Sequence, residues 1–343
     1  MASCKNRRRH GGLPVTWLLI LVIMTGSLLA GCSAAERVSK KLFPGVIRHL
    51  ALADTGSVSL NRSVLQSPPQ AFRFAVVGHI YGSEETDNID PALHLVERIP
   101  DLNDMHLSML ALLGDMVRNP QTADFDRLDQ TLLSKLDFPV FNAVGNHDVM
   151  DRVMYQNRYG ETYYNFTYGP ALMLFLDTEQ DECTVAGRQR DMIEQATAQA
   201  LKDKAVKEIF IFMHRTYWLQ NQTLFDLQNP LASPNSWKCY GSDFRLIMDH
   251  TLAPASRQKP VYIFSGDVGK SGNLTPYYER LSSAPITLAA AGLGDNPRDG
   301  LILVSVDGGQ VDLQFYSLVA GSLGSIERYT PAYWEAVARG AAP

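Results

Sequence analysis

Five short apolar runs in this chain each end on a glycine-led or histidine-led polar turn, and that repetition constrains the fold more than any other feature. Residues 72–77 lead into Gly78-His79-Ile80-Tyr81-Gly82, and residues 108–113 into Gly114-Asp115. Residues 139–144 lead into Gly145-Asn146-His147-Asp148, 208–213 into His214-Arg215, and 260–265 into Gly266-Asp267-Val268-Gly269. Each run is short and bounded by turn-forming residues, as strands are. Residues 171–177, 286–291, 301–306 and 311–316 read the same way. Between them Phe125, Leu128, Leu132, Leu133 and Leu136 recur at helical spacing, as do Met192, Ile193, Ala196, Ala200 and Leu201. Strand and helix alternate in the first half, and strand follows strand at the end. The expected fold is a layered α/β domain with buried central strands.

In such sheets, ligand-binding side chains gather beyond the carboxyl ends of the strands. Here those ends carry imidazole, carboxylate and amide groups, which suit metal ions and phosphates. A glycine before the polar residue allows the tight turn that points it back over the sheet edge. The order of these turns resembles that of the calcineurin-like metallophosphoesterases. Their usual pattern is Gly-Asp-x-His, Gly-Asp, Gly-Asn-His-Asp/Glu, a lone His, then Gly-His-x-His. The resemblance covers roughly residues 72–316, including Tyr163-Tyr164-Asn165-Phe166-Thr167-Tyr168-Gly169 and Gly187-Arg188-Gln189. It implies an α/β sandwich of two mixed sheets flanked by helices, over residues 71–318. It also implies one or two metal ions at the strand ends and hydrolysis of a phosphate mono- or diester.

The first and last motifs depart from the family's pattern. The resemblance assigns one metal to the positions of His79, Tyr81, Asp115 and Gly269, and the other to Asp115, Asn146, His214 and Asp267. Gly269 offers no side chain. Tyr81 would bind as a phenolate, and a phenol with a pKa of about 10 does so only at a strongly acidic ion such as Fe(III). The second set is complete, and its mixed oxygen and nitrogen donors suit Mn, Fe or Zn. His79 stands where Asp is usual, and Asp267 where His is usual. Either the two have exchanged places within one retained cluster, or the chain has drifted after losing its metals. His147 matches the family's non-ligand His, which protonates the leaving oxygen, and Asp148 is placed to hold its tautomer. Arg118 reads as a phosphate clamp or as a solvated loop residue. Two functions follow: a metal-dependent phosphoesterase, or a catalytically silent relative that binds a phosphorylated ligand, an envelope polymer or a protein.

Lys5, Arg7, Arg8 and Arg9 precede an apolar stretch at 13–30, the pattern of an export signal. It closes on Leu29-Ala30-Gly31-Cys32, which resembles a bacterial lipobox. This reading makes 1–31 a signal peptide and Cys32 an acylated anchor in the bilayer; the other reading is an ordinary anchor helix with an incidental Cys. With Ser33 after the Cys, a lipoprotein would face the periplasm from the outer membrane. Residues 32–70 read as a tether and 319–343 as a C-terminal tail. Cys183 and Cys239 then remain, to pair as a disulfide in an oxidising compartment or to stay as buried thiols. Residues 220–260 read as a long loop rimming the substrate site. The net charge of −5 and the lack of a basic run beyond the first residues give no expectation of a nucleic-acid groove. Oligomeric state is open.

Overall fold

The computed structural model describes residues 60–63, 65, 70–83, 89–180, 184–228, 242–269 and 274–341. The expected signal peptide, Cys32, most of the tether, Cys183 and Cys239 lie outside the described residues. In chain order the described strands are β1 (Ala71–Val77), β2 (Met109–Leu112), β3 (Val140–Asn142), β4 (Tyr164–Tyr168), β5 (Ala171–Phe175) and β6 (Glu208–Met213). They continue with β7 (Val261–Ser265), β8 (Tyr277–Arg280), β9 (Ile286–Ala290), β10 (Gly300–Asp307), β11 (Gln310–Ser317) and β12 (Ser322–Ser325).

They form two mixed six-stranded sheets, ordered β12-β11-β10-β1-β2-β3 and β4-β5-β6-β7-β9-β8. In the first, β1, β2 and β3 run parallel, while β10, β11 and β12 follow on the other side of β1, each antiparallel to its neighbour. In the second, β5, β6, β7 and β9 are parallel, with antiparallel strands at both edges. Register aligns the strand ends: Val77 pairs with Leu112, which pairs with Asn142. In the other sheet Met213 pairs with Ser265, which pairs with Ala290. The polar turns therefore leave both sheets at a common edge.

The sheets are held face to face by aromatic side chains. Phe74 of β1 meets Phe210, Phe212 and Phe264 of the second sheet nearly edge-on, at 5.3, 5.9 and 6.4 Å. That geometry adds the ring quadrupoles' attraction to the burial of large apolar surfaces. Helices cover the outer faces. Phe125 and Leu128 of the helix Thr122–Thr131, with Tyr155 and Tyr159 of the helix Arg152–Tyr159, pack on Val77, Leu110 and Leu112. Ile193 and Ala200 of the helix Gly187–Lys202 belong to the cluster around the second sheet. This is the expected α/β sandwich of two mixed sheets flanked by helices.

Three strands escape the sequence reading for a shared reason. β4, β8 and β12 are short edge strands, and Ser322–Ser325 is exposed at every position with no apolar alternation. Their conformation comes from the neighbour they pair with. The stretch expected as a C-terminal tail is part of the fold. β12 pairs with β11, and Thr330 caps the helix Pro331–Ala338. Trp334 in that helix is wholly buried, and its Nε1–H donates to the Pro276 carbonyl at 3.0 Å. The end of the expected tether is also docked. Leu60 is buried, and the Asn61 side chain accepts from Asn142 N at 2.7 Å and donates to the Glu161 carbonyl at 2.9 Å. The expected long loop contains helix: Gln222–Gln228, then Ser242–Ile247 passing through a π-turn at Met248–Leu252 into Ala253–Ser256. Leu224, Phe225, Phe244, Ile247 and Leu252 bury its apolar side.

Glu208 is a cost that the sandwich carries. Side chains alternate along a strand, so it shares a face with Phe210 and Phe212 and points between the sheets. Neither carboxylate oxygen has a hydrogen-bond partner. Burial pushes its carboxyl from 4.5 up to about 7, with Lys207 and Lys259 pulling the other way. The folded state then binds more protons than the unfolded chain between those two values, and the stability Glu208 permits falls as pH rises through that window. We expect Glu208→Gln to be more stable than wild type by about 1–3 kcal/mol at pH 8, with the difference vanishing near the ordinary value of 4.5. Urea unfolding at the two pH values measures it, and equal stabilities at pH 8 would remove the assigned burden.

Candidate functional site

The polar turns converge on Asp115. It follows β2 with a φ of 55°, and His79, following β1, has a φ of 53°. This left-handed region is costly for a residue with a side chain and collects at functional turns. Gly145 makes the approach possible, because a Cβ there would lie 2.3 Å from Asp115 Oδ1 and 2.6 Å from its backbone nitrogen. Gly269, expected beside a metal position, also has no room for a side chain. Its φ is 97°, and a Cβ would meet the Gly292 backbone at 2.5 Å.

Two imidazoles face the Asp115 carboxylate. His214 Nε2 lies 3.4 Å from Asp115 Oδ2 and 3.8 Å from Asp267 Oδ1, and His79 Nε2 lies 4.0 Å from Asp115 Oδ2. His79 Nδ1 is 2.9 Å from the Leu293 carbonyl, and His214 Nδ1 is 2.8 Å from the Leu113 carbonyl. A carbonyl only accepts, so both rings carry hydrogen on Nδ1 and, when neutral, turn an Nε2 lone pair to the centre. Both Nε2 atoms are buried without a hydrogen-bond partner. Burial lowers the His79 pKa, with Asp115 opposing. Burial also pushes His214 down, but Asp115 and Asp267 outweigh it and hold that ring above its ordinary value. For Asp115, burial is overcome by His214, His147 and His79, which hold the carboxyl low.

These donors fit a cation. Lone pairs aimed at a carboxylate repel unless positive charge lies between them. A tetrahedral ion with bonds of about 2.0–2.1 Å holds its donors about 3.4 Å apart, and the three spacings lie at or just beyond that. Among the described residues, no three His, Cys, Asp or Glu side chains are drawn into a ready-made ligand set. The fit rests on the orphaned nitrogens and the pairwise spacing. Tyr81 is buried with its ring centroid 4.2 Å from that of His79 and 5.1 Å from that of His147.

Two residues that the sequence reading passed over change the remainder of the site. Arg215 donates through Nη1 to Asp267 Oδ2 at 2.9 Å and through Nη2 to Asn146 Oδ1 at 2.9 Å. Glu179, beyond the end of β5, braces the same guanidinium through both carboxylate oxygens, at 2.7 and 3.0 Å. Asn146 and Asp267, expected as metal ligands, therefore accept from an arginine. Burial would raise the Asp267 carboxyl, but Arg215, with His214, pulls it down to about 2. Arg215 directly follows His214 and was legible as a cation at a strand end. Glu179 ends a sixth strand whose polar turn gave no signal beyond its position.

Asp148 takes a different role from the one expected. His147 Nδ1 is oriented by the Arg118 carbonyl at 2.6 Å, so Arg118 enters the site through its backbone. Asp148 is buried and accepts from Asp115 N at 3.0 Å, Met116 N at 2.7 Å, Gly145 N at 2.9 Å and Asn142 Nδ2 at 3.2 Å. Its carboxylate ties the turn after β2 to the turn after β3, and His147 N closes the link by donating to Asp115 Oδ1 at 3.1 Å. Burial, then the Asp115 charge, raises its pKa to about 6. We expect Asp148→Ala to strand three buried backbone donors and to destabilise the fold by about 3 kcal/mol or more. Chemical denaturation measures this; a loss under about 1 kcal/mol would assign the tie elsewhere.

No family model matches the chain, and no curated protein does. Solved structures do. The purple acid phosphatase from yellow lupin (Lupinus luteus) seeds aligns over 77% of this chain with a TM-score of 0.52 and 14% identity. The chain spans 54% of that protein's length. A dimetal phosphatase from Danio rerio aligns over 74% of this chain and 99% of its own, with a TM-score of 0.48 and 13% identity. The phosphopantetheinyl hydrolase of Mycobacterium tuberculosis aligns over 67% of this chain and 91% of its own, at 0.37 and 12%. At 14% identity the lupin structure speaks to the fold alone: the chain has a two-sheet sandwich of the metallophosphoesterase type.

Proposed function

We propose that this protein is a metal-dependent phosphoesterase whose ion is held by His79, Asp115 and His214, with Asp267 Oδ1 beside them. The observation that carries the reading is the pair of buried, unpartnered Nε2 atoms aimed at Asp115. Imidazole and carboxylate donors suit Mn, Fe or Zn. Such an ion lowers the pKa of a bound water and neutralises phosphate oxygens. His147 supplies the proton chemistry. Its Nδ1–H is committed to the Arg118 carbonyl, so Nε2 is the atom that delivers a proton to the leaving oxygen. Tyr81 packs against that ring and covers one side of it. The Arg118 side chain, half-buried on the same turn, is the candidate clamp for the substrate's phosphate. The sequence at 1–32 supports an exported lipoprotein, acylated on Cys32 and facing the periplasm.

One observation favours the second reading, a catalytically silent binding protein of the envelope. Asn146 and Asp267 are already engaged by Arg215. The two readings separate in an assay of metal-reconstituted protein on aryl phosphate mono- and diesters. We expect hydrolysis with Mn, Fe or Zn. His147→Ala should lower kcat by about 10²–10⁴-fold with metal content unchanged, and His214→Ala should lose the metal. No hydrolysis with any of the three metals would leave the binding-protein reading; unchanged kcat in His147→Ala would remove the assigned acid.

A further inference from the structure

The strand-end cluster contains two neighbouring places for positive charge. One lies among His79, Asp115 and His214, where nitrogen lone pairs meet a carboxylate. The other lies between Asn146 Oδ1 and Asp267 Oδ2, and a guanidinium fills it. Asp267 borders both, with Oδ1 3.8 Å from His214 Nε2 and Oδ2 on Arg215. An amide oxygen and a carboxylate converge there, the carboxylate shared with the neighbouring place, and such oxygen donors are of the kind that take a divalent ion.

Arg215 is not a surface arginine that happens to reach an acid. Its side chain is only 17% exposed and Glu179's 6%. Four of the five guanidinium N–H donors are committed, two to Glu179, one to Asp267 and one to Asn146. The fork holds Glu179 with two parallel bonds, which fixes its plane and directs its other edge at Asn146 and Asp267. A guanidinium carries its charge at every pH relevant to a protein and is not exchanged with solvent.

We propose that Arg215 is a resident cation that takes the place of a second metal ion, so that this centre exchanges one metal where its donor groups could hold two. The proposal rests on reading the cluster as a metal centre. Arg215 neutralises Asp267, keeps Asn146 turned inward, and presents a fixed positive charge beside the exchangeable site. Glu179 is its positioning residue.

The test counts ions. Purified protein is stripped, titrated with Mn²⁺ alone, and its bound metal measured by elemental analysis and calorimetry. Wild type should hold one ion per chain, and Arg215→Met should hold one more. Arg215→Lys, which keeps the charge, should match wild type. If Arg215→Met does not fold, the double variant Arg215→Gln with Glu179→Gln removes the ion pair as a unit and should also gain one ion. The increment is the readout. No gain in either charge-removing variant, or two ions already in wild type, overturns the proposal. Wild type with no ion would remove the metal reading of the His79–Asp115–His214 cluster, and the proposal with it. Loss of hydrolysis alone bears on the phosphoesterase reading and leaves the ion count as it is.

Discussion

A single buried carboxylate organises this end of the molecule. Asp148 accepts hydrogen bonds from the backbone of Asp115, Met116 and Gly145 and from the Asn142 side chain. The backbone donors belong to turns that leave two neighbouring strands, and Asn142 ends the second of them. A carboxylate taken out of water needs such partners, since burying it unpaired costs several kcal/mol. Here the need is met by donors that turns would otherwise leave unsatisfied. The consequence reaches Asp115, whose left-handed backbone is held from its own nitrogen and from the next. The central acid of the candidate site is thus placed by hydrogen bonds that never touch a ligand.

Charge balance governs the rest. Asp115, Asp267 and Glu179 lie within one small region, and burial alone would push the Asp115 and Asp267 carboxyls toward neutrality. Arg215 keeps Asp267 ionised, while the histidines do so for Asp115. The two devices differ in kind. A guanidinium is covalently tied to the chain and permanently charged, whereas an imidazole gains or loses its charge with a proton. The site therefore combines a fixed and a variable means of neutralising its acids.

Much of this was legible in the sequence, because the strands are buried on both faces and read as short apolar runs with polar ends. His79, Asp115, Asn146, His147, His214 and Asp267 do meet at one sheet edge. What the sequence withheld was pairing. Asp148 follows His147, and adjacency suggested a side-chain bond to it, yet the carboxylate turns to the backbone and Arg118 supplies a carbonyl instead. Arg215 and Glu179 are 36 positions apart, and no local pattern joins them. The edge strand Ser322–Ser325 and the buried Trp334 were unreadable for the same reason: each owes its place to a distant neighbour.

The place of β1 has a consequence for how the chain reaches this state. Among the described residues it is the first strand in chain order, and it lies in the middle of its sheet, with Ala71 paired to Asp307 on one side and Val77 to Leu112 on the other. Half of its ladder does not exist until residues 302–307, more than 200 positions further on, have been synthesised. Closing a loop of that length precedes any reward from the contacts it brings, which makes assembly slow. An emerging chain leaves this edge of β1 without its β10 partner until then, although Phe72 and Phe74 can already pack on Tyr168, Phe210 and Phe264; Trp334 joins the second sheet's cluster later still. The described fold is therefore complete only once β10 has joined β1 and the helix Pro331–Ala338 has docked.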